Sequence, residues 1–243
     1  MVYYDGLGRP FQTVQKGITP VGKKNLITLQ EYDVMGREGD AWLPIKSDSV
    51  YLQPATFKTS APGNYSNDAR PYSQPVYESS PLNRVVERYG PGYSWRTSPT
   101  TTGYLTNTLD ASLRCKHYQV SADGGLTLSA ATYYSAGELY VTKNADEDKH
   151  VSYTFTDKDG RILLTRKMAS GVGHDTYSVY DDLGNLCYVL QPMYQDNSSL
   201  SLYAFQYKYD DRGRCIWKKM PGSDYVENVY DDADRLLFSQ DGR

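Results

Sequence analysis

Along the second half of the chain, short stretches of alternating apolar and polar residues come in pairs. "LYAFQYKY" places Tyr203, Phe205, Tyr207 and Tyr209 on one face of an extended strand, because successive strand side chains point to opposite faces. After a few polar residues a second apolar stretch follows: "RCIWKKMP" here, and "RILLTRKM", "NLCYVLQP" or "RLLFSQ" elsewhere. Between the members of each pair lies Asp-x-x-Gly. Aspartate accepts hydrogen bonds from backbone N–H groups two residues on, and glycine supplies the positive φ that closes a four- to five-residue loop. The pattern therefore predicts β-hairpins, with the Asp-x-x-Gly stretch at each bend.

The bend recurs. Tyr4-Asp5-Gly6-Leu7-Gly8-Arg9, Tyr32-Asp33-Val34-Met35-Gly36-Arg37 and Tyr209-Asp210-Asp211-Arg212-Gly213-Arg214 are complete copies of Y-D-x-x-G-R. Four others are worn. The stretch 180–185 keeps Tyr180, Asp181 and Gly184 without the arginine. The stretch 230–235 keeps Tyr230, Asp231 and Arg235 without the glycine. The stretch 156–161 keeps Asp157, Gly160 and Arg161 without the tyrosine, and YESSPLNR at 77–84 reads as a copy with two extra residues. Motif starts at 156, 180, 209 and 230 leave units of about 20–30 residues, the length of one two-stranded unit with its connections. Hairpins laid side by side would bring equivalent residues into columns. Cross-strand aromatic pairs add about 0.2–1 kcal/mol each. The arginine is expected to lie over a tyrosine ring or to pair with the aspartate of a neighbouring copy.

Residues from about 38 to 108 break this rhythm. Eight of the 12 prolines lie between Pro44 and Pro99, among many Ser, Thr, Asn and Gly residues. Proline removes a ladder donor, so this stretch is expected to be an irregular, loop-rich insertion with short strands and one helical turn. "DASLRCKHY" near Asp110 fits helix or strand, the latter better, and Asp123-Gly124-Gly125 reads as a turn. The domain expectation is an N-terminal β region over 1–140 containing the proline-rich insertion, followed by hairpin repeats over 141–243. The first motif starts almost at the first residue, and another turn begins at Asp241-Gly242. The chain thus reads as part of a longer protein whose repeats carry ends that can pair.

Composition sharpens the fold class. There are 24 Tyr against 5 Phe, and tyrosine suits half-buried strand faces. Charge is nearly balanced, 26 basic against 29 acidic residues, with no block of one sign, so neither a nucleic-acid nor a membrane surface is indicated. No apolar run approaches the roughly 18 residues of a membrane span. The first residues, lacking a basic start and an apolar core, do not form a signal peptide. Cys115, Cys187 and Cys215 stand at spacings that match no metal pattern.

Candidate chemistry is sparse. His117, His150 and His174 lie in no metal-binding or hydrolase motif, and His174-Asp175 falls in an expected turn. No phosphate-cradling glycine loop occurs. The acidic groups at 146–148 and 157–159 read as solvated turns rather than a calcium loop, for want of a closing glutamate. Cofactors: none are expected. Trp42, Trp95 and Trp217 could stack on sugars, although tryptophan is more often core.

Copies of Y-D-x-x-G-R at such spacing resemble the Rhs, or YD-repeat, family. The stretches "YESSPLNRVVERYGPGYSW" and "YYSAGELYVTKNADEDKHVSYTFTDKDGRILLTRK" are similar to the N-terminal region of unknown function that precedes the repeats in some bacterial Rhs-type proteins. The resemblance implies an all-β fold: repeated antiparallel β-hairpins forming a curved, twisted sheet, a segment of a shell. It implies a non-enzymatic structural role, enclosing or presenting a C-terminal toxin or effector in contact between cells. Its implied partners are the remaining repeats and the effector of the same polypeptide, and its implied location is secreted or at the cell surface. The family's Asp-Pro-x-Gly core signature is absent from this chain, so no self-cleavage carries over. A cell-surface glycan- or protein-binding β module, built on the exposed Tyr and Trp, is the alternative.

Overall fold

The computed structural model describes residues 1–242, which fall into two compact units. The first comprises Met1–Thr102 with Ala145–Lys149, and the second Gly103–Asn144 with His150 onward.

The first unit contains β1 (Val2–Tyr4), β2 (Pro10–Gln15), β3 (Asn25–Tyr32), β4 (Glu38–Trp42), β5 (Ile45–Ser47), α1 (Pro54–Asn64), β6 (Tyr72–Tyr77) and β7 (Val85–Tyr89), and it takes in the start of β8 (Thr100–Thr106). The strands pair antiparallel, β1 with β2, β2 with β3, and β3 with β4 and β5 at its two ends. They continue from β4 to β6, from β6 to β7 and from β7 to β8. The inward residues Val14, Ile27, Leu29 and Ile45 pack on Phe57 and Ala61 of α1. Proline at the first helical position suits a fixed φ near −65°, and Phe57 and Ala61, four apart, share one face. The helix ends at Pro62–Asn64, and the chain then turns away through Ser66 and Asn67 at positive φ. The proline-rich stretch therefore holds short strands, as expected, but a three-turn helix where one turn was expected. The aromatic Phe57 anchors it, a tertiary contact that local propensity does not report.

The second unit contains the rest of β8, β9 (Lys116–Val120), β10 (Leu126–Tyr133), most of β11 (Tyr140–Ala145), β12 (Val151–Thr156), β13 (Ile162–Ala169), β14 (Val172–Tyr180) and β15 (Leu186–Leu190). Two single-turn helices follow, α2 (Tyr194–Asn197) and α3 (Leu200–Tyr203). The unit closes with β16 (Ala204–Tyr209), β17 (Cys215–Lys219), β18 (Tyr225–Tyr230) and β19 (Leu236–Asp241). From β12 to β19 each strand pairs antiparallel with the next. The fold is thus all-β, a mostly antiparallel sheet of successive hairpins.

The β9–β10 hairpin forms a separate ribbon packed on this meander. The Tyr118 ring meets Tyr177 edge-on at 5.0 Å, and the Tyr188 hydroxyl donates to the Gly124 carbonyl at 2.6 Å. Adjacent residues Leu163–Leu164 and Cys187–Tyr188 are all buried, so both sheet faces are covered there. A side chain such as Leu164, with no exposed surface, contributes about 1.5–3 kcal/mol through burial. Along the last hairpin the covering runs out: β18 alternates, and every residue of β19 is exposed.

Three local expectations differ from the structure. Tyr203 closes α3 and is not the start of the β16 strand. His174-Asp175 lies on β14, where the Asp175 carboxylate takes both Nε and Nη2 of the buried Arg166 at 2.7 Å. The stretch after Asp110 turns first and becomes strand only at Lys116.

Candidate functional site

The repeated motif builds one local structure and one joint. Within each copy the aspartate holds the turn. At Asp5, Oδ1 accepts the N–H groups of Leu7 and Arg9 at 2.9 Å, while Oδ2 accepts Nε of Arg9 at 2.8 Å. Asp33, Asp157, Asp210 and Asp231 repeat this with Arg37, Arg161, Arg214 and Arg235 at 2.7–2.8 Å. In the copy lacking arginine, Asn185 Nδ2 donates to Asp181 at 3.0 Å. Two backbone bonds close each loop; in the copy at 209–214, Asp210 N–H donates to the Arg214 carbonyl and Gly213 N–H to the Asp210 carbonyl. Where it is glycine, the residue before the arginine or Asn185 takes φ near +80° (Gly8 +76°, Gly36 +81°, Gly160 +83°, Gly184 +84°), and the strand register slips at each motif tyrosine or its counterpart Thr156. This is a loop closed by a left-handed residue that forms a bulge.

The arginine's recurring partner is therefore the aspartate of its own copy, four residues back, where a neighbour's aspartate was expected; Arg214 in addition pairs with Asp234 of the neighbouring copy at 2.8 Å. The aspartate and the arginine open and close the loop and are already joined by the Asp N–H bond to the Arg carbonyl, so their side chains meet with no further loop to close. The electrostatics follow. At Asp5 the backbone bond from Arg9 leads in holding the carboxyl below its usual range; at Asp210 the Arg214 guanidinium leads. At Asp231 the Arg235 N–H leads, and at Asp33 partial desolvation opposes but is outweighed by Arg37.

The joint links one copy to the next. The Arg9 guanidinium lies over the Tyr32 ring at 4.4 Å, Arg37 over Tyr77 at 4.3 Å, Arg161 over Tyr180 at 5.7 Å and Arg214 over Tyr230 at 5.1 Å. Each ring's hydroxyl then donates to the carbonyl of the residue just after the preceding copy's arginine or its counterpart. Tyr32 reaches Pro10 at 2.9 Å, Tyr77 reaches Glu38 at 2.9 Å and Tyr180 reaches Ile162 at 3.3 Å. Tyr209 reaches Leu186 at 3.0 Å and Tyr230 reaches Cys215 at 3.2 Å. The tyrosine thus serves as an apolar platform for a cation and as a donor to a backbone carbonyl.

A second feature of the joint escaped the sequence. The arginine also approaches the left-handed residue of the next turn. A Cβ on Gly36 would lie 3.0 Å from Arg9 Nη1. Where glycine is replaced, the substitute is Asn83 (φ +55°) or Asp234 (φ +62°), and its side chain accepts from the preceding arginine. Arg37 Nη1 reaches Asn83 at 3.4 Å, and Arg214 Nη1 reaches Asp234 at 2.8 Å. The degenerate copy at 77–84 completes the set: Arg84 Nε and Nη2 grip both oxygens of Glu78 at 2.7 and 2.8 Å, and this bond leads in holding the Glu78 carboxyl down at about 2.

The tryptophans fall elsewhere. Trp42 is half-buried, donates to Glu31 at 2.8 Å, and packs on Phe57 and Tyr72. Trp217 stacks on Tyr225 at 5.7 Å beneath Lys208. Trp95 is exposed, in a short 3-10 turn against Gly90 and Gly92. Among the described residues no group of three or more His, Cys, Asp or Glu could hold a metal ion. The three cysteines are free, and burial pushes the Cys115 thiol up to about 12 and Cys187 to about 11.

The fold and the joint define a class, an all-β protein of interlocked Tyr-Asp hairpins, and comparison places it among known structures. Residues 1–108 match the model of a family described as a domain of unknown function, DUF6443. No curated protein sequence matches the chain. Its fold is similar to chains in crystal structures of TcdB2-TccC3 and of TcdB2-TccC3-Cdc42, and in the structure of a Photorhabdus luminescens Tc holotoxin pore with a point mutation in TccC3. In each case the TM-score is 0.58 at 15% identity, over 98% of this chain and 11% of the other. The likeness is one of fold, and this chain spans about a tenth of the length of the chains it matches.

Proposed function

We propose that this chain is a structural segment of a YD-repeat wall that encloses or presents a toxin or effector carried by the same, longer polypeptide, and that it works in contact between cells as a secreted or cell-surface protein. The observation that carries the reading is the joint. Five successive pairs of copies are locked by the same tyrosine hydroxyl bond, four of them with arginine over the ring. A joint that uses the same few atoms each time can be repeated without limit, and repetition is what a wall needs. The fold likeness to toxin-complex chains roughly nine times longer supports the same reading. The segment's partners are then the neighbouring repeats and the effector, and its role is non-catalytic.

The experiment is the intact mass of the native protein in its source cells. This reading expects a mass several times the 27.5 kDa of this chain. A native mass near 27.5 kDa would overturn it and favour a binding module acting alone.

A further inference from the structure

We propose that a cleft in the second unit, bounded by the turn at 111–114, the β13–β14 hairpin and α2, binds a small organic acid: a carboxylate on an apolar body. The site goes beyond the wall reading above and stands whether or not the chain is part of a wall.

The cleft encloses about 560 Å³, within the roughly 300–1,000 Å³ of small-molecule sites. One buried ion pair pins its frame. Arg166 of β13 gives Nε and Nη2 to the Asp175 carboxylate at 2.7 Å. Its Nη1 donates to the carbonyls of Ala111 at 3.1 Å and Ser112 at 2.8 Å, which ties the turn to the hairpin. All three guanidinium nitrogens are thus in use. Asp175 also accepts the Tyr177 hydroxyl at 3.3 Å. This pair builds the wall of the cleft and is not free to meet a ligand.

What is left over is cationic. Lys116, at the start of β9, lines the cleft and is half-buried. Its Nζ donates to Gln195 Oε1 at 2.9 Å, and no carboxylate of the described residues lies within 4.0 Å of it. An ammonium carries three donors, so this one bond leaves most of its capacity unclaimed by the described residues. Gln195 points the same way. Its Oε1 also accepts the Tyr118 hydroxyl at 3.1 Å. An ammonium can only donate, so the amide oxygen must face Lys116, and Nε2 is left buried with no acceptor among the described residues. An unmet N–H dipole in a low-dielectric wall favours negative charge nearby. Arg114 also lines the cleft. It is exposed, lies over the Tyr133 ring at 5.2 Å, and has no carboxylate of the described residues within 4.0 Å. Two acids share the lining. Asp175 is spent on Arg166, and Asp196 is exposed and pairs with neither cation.

The rest of the lining is apolar. Met168 and Val172 come from the β13–β14 hairpin, and Pro192 and Met193 precede α2. Methionine side chains adapt to irregular apolar shapes. A ligand that suits both parts sets an anionic head beside Lys116 and Arg114 and an apolar body against the methionines. A cation would meet two unneutralised charges of its own sign, and a wholly apolar ligand would desolvate them without return.

The test titrates the protein with phenylacetate and with its uncharged counterpart phenylacetamide, following the methyl NMR signals of the five methionines. Met168 and Met193 report on the cleft, while Met1, Met35 and Met220 lie outside its lining and serve as controls. The proposal expects phenylacetate to shift the Met168 and Met193 signals saturably, leave the controls in place, and bind about 10-fold or more tightly than the amide. Lys116→Met is expected to remove most of that preference for the acid. Arg114→Gln, at an exposed residue, is expected to reduce it in part, and this variant with the acid–amide comparison decides the matter even if Lys116→Met fails to fold. The absence of a saturable shift would overturn the proposal. So would equal affinity for acid and amide, which would mark apolar adsorption alone, shifts spread over all five methionines, or a preference for the acid that survives both substitutions.

Discussion

The two units use one joint in different surroundings. In the first, motif copies start at positions 4, 32 and 77, and the intervals hold a helix, long turns and a core of six buried residues around Phe57. In the second, copies start at 156, 180, 209 and 230, the intervals are strand apart from the short helices α2 and α3, and a core twice as large sits beneath the β9–β10 ribbon. Arginine over tyrosine and hydroxyl to carbonyl recur in both, tighter in the first, with arginine 4.3–4.4 Å from the ring centre against 5.1–5.7 Å in the second. The joint therefore depends on the hairpin ends and tolerates what fills the space between them. Even the two-residue insertion at 77–84 leaves it intact, because Glu78 with Arg84 restores the acid–arginine grip across the longer loop. The turn tips diverge. Leu7, Met35 and Leu82 make the first unit's tips apolar and exposed, whereas Asp159, Leu183, Arg212 and Ala233 mix charge and apolar groups in the second.

The largest expected break in this comparison comes from the cores. Phe57→Ala and Phe155→Ala each remove a fully buried ring at a cost of about 3–5 kcal/mol. With a core of only six residues, the first unit should lose its cooperative transition in Phe57→Ala. In Phe155→Ala the second should keep a transition at lower denaturant. Equal shifts in urea unfolding, followed by Trp42 for the first unit and Trp217 for the second, would contradict the difference in core size.

A sharper probe lies in the left-handed position. Gly36→Ala combines a strained φ with a 3.0 Å approach to Arg9 and should cost about 1–2 kcal/mol. Gly36→Asn should cost clearly less, since Asn83 and Asp234 occupy that place elsewhere and accept from the preceding arginine. Thermal melts of the two variants decide this, and an asparagine variant as unstable as the alanine one would sink the pairing rule.

Smaller still is the hydroxyl. Tyr209→Phe keeps the ring but leaves the Leu186 carbonyl without its donor, an expected loss of about 0.5–1.5 kcal/mol in denaturant midpoint. A variant as stable as the parent would reduce the joint to ring packing.

The acid–arginine grips add a pH dependence with a definite sign. Glu78 has its folded-state pKa lowered from 4.5 to about 2, led by the bond from Arg84. Its contribution is full above 4.5 and is lost as pH falls through that window, because the unfolded chain binds the proton first. Stability measured from pH 5 to pH 2 should therefore fall less steeply in Glu78→Gln than in the parent. Parallel curves would contradict the assignment.

Much of this was legible in the residues. Asp-x-x-Gly between alternating stretches marks a bend wherever it occurs, since turn chemistry is local, and 24 tyrosines indicate half-buried strand faces. What lay hidden depends on residues distant in sequence. Helix α1 forms although Pro62 and Gly63 sit in its last turn, because Phe57 finds Trp42 and the β-strand core. The loss of glycine at Asn83 and Asp234 looks like decay of the motif, yet both keep its left-handed backbone and add a bond. The Tyr hydroxyl's partner is a backbone carbonyl, which no side-chain pattern can signal. A signal was present for the arginine: it follows the aspartate by four in the copies that keep both residues, the span of a loop closed on itself.

The central claim is that arginine and tyrosine of successive copies are energetically coupled, and a double-mutant cycle on Arg37 and Tyr77 measures it most directly. Their separation of 4.3 Å is the shortest of the motif joints described above. Arg37→Ala, Tyr77→Leu and the double variant are compared by urea unfolding, so that losses private to each residue, including the Asp33 grip, cancel. The account predicts a favourable coupling of about 0.5–1 kcal/mol, weakened little by salt because the ring contributes a quadrupole and not a net charge. Additive losses, with no coupling between the two residues, would contradict it.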